Sequence, residues 1–331
     1  MSRFDLVGDV GGTNARFALT DPDAPEIGMI EARSLPNAGF ASLQHAIEHY
    51  LAQVQVRPRR AAIAVASPVD ADEIRLTNRA WSFSRAELQR VLALEELRLL
   101  NDFGAVAWAV PTLKSDERVA LYGPVRTAPL GPISVIGPGT GLGVGLLVGS
   151  ARHGWHVVET EGGHVSFAPL GEEEEIIARW LTARFGRAST ERVLSGDGLS
   201  CIDAALRGEE ARPPAGRPPR LRDPADIVAA ALDGHDHAAR RALARFCAVF
   251  GSVAGDAALI HGARSVMIAG GIVPRFISFL RSSAFRERFL AKGRFAAYLE
   301  AVSVEIVTHR HPGLLGAAAA LRHTPATEPI A

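Results

Sequence analysis

Apolar residues recur along the chain in two alternating patterns, one typical of strands and the other of helices. Residues 4–10 form a largely apolar run, and residues 15–20 alternate enough to be its partner strand in a β-hairpin. Apolar side chains at positions 40, 43, 47 and 51 have the spacing of an amphipathic helix. Residues 61–66 predict another buried strand. The alternation of strands with helices predicts an α/β protein.

The following segments continue this pattern. Ser84, with Glu87 three residues later, predicts a capped helix that runs to Val91. A short strand at residues 97–100 ends at Asn101 and Asp102.

The second half of the chain repeats the opening. Strands at residues 133–136 and 142–148 flank a glycine-rich turn, echoing the first hairpin. Residues 155–158 and 165–167 are also strand-like. Further predicted elements are a long helix over about 238–261, a strand over 265–269, and a small-residue helix over 312–322. Residues 172–175 predict a helix N-terminus, where acidic side chains suit the macrodipole.

Composition narrows the class of protein. The 331 residues suggest about two domains, and 36 basic against 36 acidic residues leave no positive field for nucleic acid. The two cysteines, Cys201 and Cys247, cannot form a disulfide framework, which favours a cytoplasmic setting. Neither of the two lysines, Lys114 and Lys292, lies in a P-loop motif, so that type of nucleotide site is excluded.

An uncharged stretch of 25 residues lies between Arg126 and Arg152 and is long enough to span a bilayer. It contains three prolines and seven glycines, which would interrupt a lone helix in lipid. We therefore expect buried strands joined by a turn, and no membrane partner. Residues 207–223, rich in Pro, Arg and Gly, predict an exposed loop.

Glycine turns are the first candidates for chemistry. Gly11, Gly12 and Thr13 could offer backbone N–H groups and a hydroxyl to a phosphate, and the adjacent Asp9 would then need a divalent cation such as Mg²⁺. An ordinary hairpin with an exposed Asp is the alternative. Thr140, among the glycines at alternate positions 137–145, could grip phosphate from the opposite side, although these glycines would also permit close strand packing.

Polar residues at strand ends and bends are the next candidates. Asp102 lies where a hydrophobic strand ends and could take the proton of an attacking hydroxyl, or it could simply cap the following helix. Glu161 and His164 flank two glycines and could bind polyol hydroxyls at a bend, or form a structural turn. His164 has no nearby partner at ligand spacing for zinc. Glu191, taken locally, is a solvated helix residue.

In combination, these segments resemble the bacterial glucokinase family of the actin-like sugar kinases. The resemblance rests on ordered motifs: residues 6–16, Thr77-Asn78 with Trp81, and residues 101–103, 137–145, 161–165, 191–196, 269–272 and 313–317. Pro138 departs from the smaller residue expected in its turn, and the proline-rich residues 212–219 look peculiar to this chain.

The resemblance implies an actin-like ATPase (ribonuclease H-like) fold, with two α/β domains flanking a nucleotide and sugar cleft. The smaller domain would comprise residues 1–112 and 312–331, and the larger one residues 113–311. The family suggests a homodimer.

The resemblance also implies ATP and Mg²⁺ as cofactors, glucose as substrate, and transfer of the γ-phosphoryl group to the 6-hydroxyl of glucose. Asp102 would be the catalytic base, and Asp9 would hold Mg²⁺ through a water molecule. The implied sugar-binding residues are Asn101, Asp102, Glu161, His164 and Glu191. The implied ATP-binding residues are Gly8, Asp9, Val10, Gly11, Gly12, Thr13, Gly139, Thr140, Gly141, Gly270 and Gly271.

Several alternatives stay open. A kinase for another hexose or an amino sugar is the nearest one, although the cysteine cluster typical of the zinc-containing sugar-kinase group is not in the sequence after Gly163-His164. A sugar-sensing repressor would need a DNA-binding domain and a chaperone ATPase a peptide-binding domain, for which the sequence offers no segment. A non-catalytic sugar-binding protein on the same fold is the last alternative.

Overall fold

The computed structural model describes residues 3–69, 71–76, 81–126, 128–212 and 220–323. The chain divides into two compact units: unit 1 comprises Met1–Lys114 and His309–Ala331, and unit 2 comprises Ser115–Thr308. Each unit has its own main sheet and apolar core. The Thr77-Asn78 motif, nearly all of the proline-rich segment (213–219) and the C-terminal residues 324–331 lie outside the described residues.

Unit 1 is built on a five-stranded sheet. The strands of unit 1, including two outside this sheet, are β1 (Asp5–Val10), β2 (Asn14–Thr20), β3 (Ile30–Pro36), β4 (Arg60–Val65), β5 (Glu73–Arg75), β6 (Ser82–Ser84) and β7 (Glu96–Asn101). Its helices are α1 (Leu43–Val54), α2 (Arg85–Val91), α3 (Asp102–Ala109) and α12 (Pro312–Arg322). The sheet order is β3-β2-β1-β4-β7, with β5 and β6 paired separately. The predicted first hairpin is confirmed as the antiparallel pair β1–β2.

Local capping sets the helix starts in unit 1. Ser84 Oγ accepts a hydrogen bond from Glu87 N at 3.1 Å, so the predicted start of α2 is confirmed. The predicted helix over 40–51 begins only at Leu43, because Ser42 is extended and caps it by accepting from His45 N. α3 and α12 are made largely of small residues and pack directly against each other.

Unit 2 is built on a six-stranded sheet. Its strands are β8 (Arg118–Tyr122), β9 (Ile133–Pro138), β10 (Leu142–Ser150), β11 (Gly154–Thr160), β12 (Ser265–Ile268) and β13 (Ser303–Val307). Its helices are α4 (Glu172–Phe185), α5 (Thr190–Val193), α6 (Gly196–Leu206), α7 (Pro224–Asp233), α8 (His237–Ile260), α9 (Ile277–Ser282), α10 (Phe285–Leu290) and α11 (Ala296–Glu300). The sheet order is β11-β10-β9-β12-β13-β8.

The two main sheets share one topology. β9 pairs antiparallel with β10 and parallel with β12, just as β1 pairs antiparallel with β2 and parallel with β4. The echo between the two hairpins that the sequence predicted is therefore confirmed. The uncharged stretch supplies β9 and β10, as expected.

Within the part of the chain that the structure describes, one helix, α8, is long and apolar enough to cross a membrane by length and composition. Its apolar face, including Leu243, Phe246 and Phe250, is fully buried in the core of unit 2. We therefore assign α8 as a core helix.

Two features of unit 2 depart from the predictions. Residues 165–167 are not a strand, since they contribute only an isolated bridge from Ser166 to Ser189. Glu172 does begin α4, but Glu174 has a larger role than a helix-terminal acid. Its carboxylate is fully buried, accepts hydrogen bonds from Arg288 at 2.6 and 3.2 Å, and accepts one from Leu170 N at 2.8 Å.

Candidate active site

The first glycine turn joins β1 to β2 in unit 1. Gly11 N donates to Asn14 O at 3.0 Å and closes the turn, while Gly12 and Thr13 are exposed. Gly8 lies within β1, where a Cβ would come within 3.2 Å of Ile63 and Phe17 side-chain carbons. Val10 is also fully buried. The turn itself is therefore the part of the predicted ATP segment that can meet a ligand, and Gly8 and Val10 support it from within the sheet.

Asp9 is a partly buried carboxylate beside this turn. Burial raises the pKa of Asp9 above its ordinary value, and Arg16, whose Nη1 lies 3.4 Å from Asp9 Oδ2, only partly opposes the shift. Gly313, in the first turn of α12, lies directly against it: a Cβ there would be 2.9 Å from the Asp9 Cγ. A carboxylate whose negative charge is only partly balanced by Arg16 is a suitable ligand for a hard divalent cation such as Mg²⁺.

Asn101 and Asp102 stand where β7 becomes α3. Asn101 Oδ1 accepts from Phe103 N at 2.9 Å and from Gly104 N at 3.2 Å, so Asn101 is the N-cap of α3. The alternative that Asp102 is the cap is therefore wrong. Asp102 is the first helical residue, and its Oδ1 accepts from Phe103 N at 2.8 Å. Its carboxylate lies at the positive end of the helix dipole, which favours negative charge.

The second glycine turn joins β9 to β10 in unit 2. Gly139 N donates to Gly141 O at 2.8 Å, and Gly139 O accepts from Gly196 N at 2.9 Å. Gly270, with φ +93°, packs so closely on this turn that a Cβ would lie 3.0 Å from the Pro138 carbonyl carbon. The structure thus brings together the second hairpin and the Gly270 turn, two segments that the sequence linked to one nucleotide. Pro138 remains in β9, paired with Leu142.

A small cleft opens to solvent beside this turn. Its lining combines polar groups with one aromatic side chain: Thr140, Phe185, Glu191, Arg192, Ser195, Asp197, Gly198 and Cys201. Thr140 and Glu191, which the sequence assigned to different ligands, share its wall.

Glu161 and His164 lie at the bend after β11, and both are exposed. The bend is a short 3₁₀ helix, Gly162–His164, in which His164 N donates to Glu161 O at 3.0 Å. A Cβ on Gly163 would come 3.2 Å from the Leu142 carbonyl carbon, so glycine allows the bend to pack against β10. The structural-turn alternative thus holds for the glycines, while the two polar side chains are presented outward.

Glu191 is not the solvated helix residue that its local sequence predicts. Its Oε2 accepts from Leu142 N at 3.1 Å, immediately after the second glycine turn, and a Cβ on Gly141 would lie 3.2 Å from its Cδ. The structure therefore brings Glu191 to the start of β10, the strand on which the Glu161–His164 bend also packs.

The sequence did not single out Asn37 or Thr190, although both contact these segments. Asn37 is fully buried and bonds the first glycine turn, and Thr190 is buried and bonds the Glu161–His164 bend. Neither residue carries a local signal, because each acts on a segment more than twenty positions away.

Comparison with known proteins now decides the family. A family model described as Glucokinase matches residues 6–324. The chain belongs to the glucokinase family. A glucokinase from Cronobacter sakazakii is 44% identical over 325 residues, which cover 98% of each chain. The predicted family and enzyme class, the ATP-dependent phosphorylation of glucose, are thereby confirmed.

Solved structures confirm the actin-like ATPase fold. A glucokinase from an Antarctic psychrotroph matches with a TM-score of 0.83 at 36% identity, covering 97% of this glucokinase-family chain and 99% of the other. The ROK family glucokinase from Streptomyces griseus, solved in complex with glucose and AMPPNP, shares the fold with a TM-score of 0.61 at 17% identity, covering 95% of this chain and 98% of the other.

Proposed function

We propose that this chain transfers the γ-phosphoryl group of ATP to the 6-hydroxyl of glucose, with Asp102 as the general base. The observation that carries the assignment of the base is the arrangement at the start of α3. Asn101 Oδ1 accepts from both Phe103 N and Gly104 N, and Asp102 Oδ1 shares the bond from Phe103 N, so Asn101 rather than Asp102 is the N-cap of the helix. A carboxylate at a strand end without an essential capping role is suited to proton transfer.

The remaining residues divide between the two ligands. We propose that Asn101, Asp102, Glu161, His164 and Glu191 bind the sugar hydroxyls. For ATP, we propose contacts at residues 8–13, at residues 139–141 and at Gly270 and Gly271. Exposure of Gly12 and Thr13, and the packing of Gly270 on the second hairpin, support this division.

Asp9 is the residue that we propose for Mg²⁺. Its raised pKa reflects a carboxylate whose charge is not fully compensated by Arg16, and a hard oxygen ligand is what this ion prefers. When bound, the ion would neutralise charge on the ATP phosphates.

The chain's own groups then perform three tasks. The sugar-binding side chains orient the 6-hydroxyl, and Asp102 accepts its proton as the oxygen forms a bond to the γ-phosphorus. The bond from that phosphorus to the β,γ-bridging oxygen breaks, and ADP leaves. Backbone N–H groups of the glycine turns stabilise the charge on the transferring group.

A coupled assay with ATP, Mg²⁺ and a panel of hexoses tests the activity. We expect glucose to give the highest kcat/KM. A higher value for mannose or an amino sugar would replace glucose as the substrate, and turnover of no sugar would leave a non-catalytic binding protein.

Asp102→Asn tests the base. We expect kcat to fall roughly 10²- to 10⁴-fold, as for loss of a general base, while glucose binding measured by calorimetry changes little. Asp23→Asn, a matched change at an exposed carboxylate of unit 1, should leave kcat unchanged. Near-normal turnover by Asp102→Asn would remove the base assignment.

We also propose that units 1 and 2 are the family's smaller and larger domains, as predicted for residues 1–112 with 312–331 and for residues 113–311. The cytoplasm is the proposed compartment, supported by two buried free thiols, Cys201 and Cys247.

The proposed assembly is a homodimer. Light scattering during gel filtration should give twice the 35.2 kDa chain mass, and a mass of one chain would refute the dimer.

A further inference from the structure

Asn37 lies directly behind the first glycine turn and bonds it twice. The side chain is fully buried. Its Nδ2 donates to Gly11 O at 2.8 Å, and its backbone N donates to Thr13 O at 2.9 Å. Two carbonyl groups of the turn are thus held by one buried residue that follows β3.

The side-chain oxygen of Asn37 indicates which of its polar atoms stabilises the structure. Asn37 Oδ1 is buried and has no hydrogen-bond partner among the described residues. A buried acceptor without a partner destabilises the fold, and an apolar side chain of the same size would avoid that penalty. The amide of Asn37 therefore stabilises the structure through the hydrogen bond that Nδ2 donates to Gly11 O.

The geometry of the peptide bond connects that donor to the phosphate site. In a trans peptide, the carbonyl oxygen and the amide hydrogen point in opposite directions. Because Gly11 O is held toward buried Asn37, the N–H of Gly12 points away from the interior, on the exposed side of the turn. A Gly-Gly peptide flips easily, and a flip would turn a carbonyl toward the phosphate instead of an N–H.

We propose that Asn37 is a positioning residue for the nucleotide: it locks the Gly11–Gly12 peptide so that the Gly12 N–H faces the ATP phosphates. This inference rests on the proposed function. It assigns to Asn37 no contact with substrate.

Asn37→Leu and Asn37→Asp test the lock, since both keep the size of the side chain and remove the donor. We expect the KM for ATP and the Ki of ADP to rise about five- to tenfold, as for one lost hydrogen bond, with the KM for glucose within twofold of the wild type. Because Asn37→Leu also removes the unpartnered oxygen, its melting temperature should fall little. Gln53→Leu, at an exposed amide of unit 1, is the matched control.

The outcomes separate the two claims. A wild-type chain that phosphorylates no sugar refutes the proposed function itself. An active wild type with an unchanged KM for ATP in both variants refutes the role of Asn37. Equal rises in the KM for ATP and for glucose also refute it, since they indicate general damage.

Thr190 carries a second inference of the same kind, from independent contacts in unit 2. Its side chain is buried, its Oγ1 donates to Gly163 O at 2.6 Å, and its backbone N donates to Val165 O at 2.9 Å. The carbonyls on both sides of His164 are therefore anchored to one residue. The next residue along the chain is Glu191.

We infer that the Thr190 hydroxyl positions His164 relative to Glu191 for sugar binding. Thr190→Val keeps the shape and removes the donor, whereas Thr190→Ser retains the hydroxyl. We expect the valine variant to raise the KM for glucose roughly three- to tenfold and the serine variant to restore it to within twofold. A valine variant with the wild-type KM for glucose, or a serine variant as impaired as valine, would contradict the inference.

The Asn37 and Thr190 variants serve as controls for each other. Asn37 variants should change the kinetics of ATP and Thr190→Val those of glucose, measured on the same preparations. If either variant shifted both constants together, its positioning role would be lost in favour of a general structural one.

Discussion

Gly316→Ala should disturb both the stability of unit 1 and its proposed catalytic base. Gly316 lies in α12 where this helix crosses α3. A Cβ at this position would overlap the carbonyl oxygen of Ala105, lie 2.6 Å from its carbonyl carbon, and lie 3.0 Å from Ala109 N. These are backbone atoms of a helix, so no side-chain rotation can relieve the overlap.

The size of the disturbance follows from these distances. Carbon atoms in ordinary contact are about 3.5 Å apart, so α3 and α12 must separate by roughly 1 Å or more. Overpacking of this kind costs about 1 to 3 kcal/mol in stability. Since α3 begins at Asp102, the displacement reaches the carboxylate, and a misplacement of about 1 Å can reduce turnover roughly 10²-fold.

Thermal unfolding and steady-state kinetics measure the two effects on one sample. Gly28→Ala is the control, because a Cβ at Gly28 meets no atom of the described residues within 4 Å apart from its chain neighbours. We expect Gly316→Ala to lower both the melting temperature and kcat, and Gly28→Ala to change neither. A Gly316→Ala protein with wild-type stability and turnover would show that α3 and α12 adjust freely and would refute the predicted overlap.

Three further outcomes follow from buried polar groups. Glu174→Gln should lower the unfolding free energy by about 3 kcal/mol or more, measured by urea titration, because it leaves the buried Arg288 guanidinium without its counter-charge. Asp9→Asn should abolish turnover yet raise the melting temperature at pH 8. The raised pKa of Asp9 means that the unfolded chain loses this proton at lower pH than the folded one, so wild-type stability falls as pH rises through that window. Burial raises the pKa of Cys201 to about 11 and that of Cys247 to about 12, so a thiol reagent at pH 8 should label neither before denaturation and both after it.

The fold could be predicted to a large extent because its elements carry local signals. β1 and β2 are an apolar run and an alternating partner with glycines between them, and Ser84 caps α2 through a bond that depends on three residues of spacing. The prediction of a strand at residues 165–167 was wrong because a local apolar pattern does not show whether a segment joins a sheet. Val165 is extended, but the chain there bonds the residues around the start of α5 through single contacts rather than a sheet ladder.

The polar residues were harder to predict, since a polar side chain has no periodicity of its own. Glu191 lies on a single helical turn, and locally it has the pattern of a surface residue. Its environment comes from Leu142, 49 positions earlier, whose N–H it accepts. Glu174 likewise matches the acidic start of a helix, while its burial depends on Arg288, 114 positions later.

Asn37 shows where prediction from sequence stops for a site of this kind. Between Pro36 and Ala38, an Asn is typical of a turn, and Asn37 does begin a short 3₁₀ segment. Its proposed role depends instead on the direction of one peptide group in the Gly11–Gly12 turn, and that direction is a property of two segments brought together by the β2–β3 pairing, in which Asn14 lies opposite Pro36. A glycine turn in a sequence therefore identifies a backbone able to bind phosphate, but the residue that holds its N–H groups outward is identified only by the sheet that carries the turn.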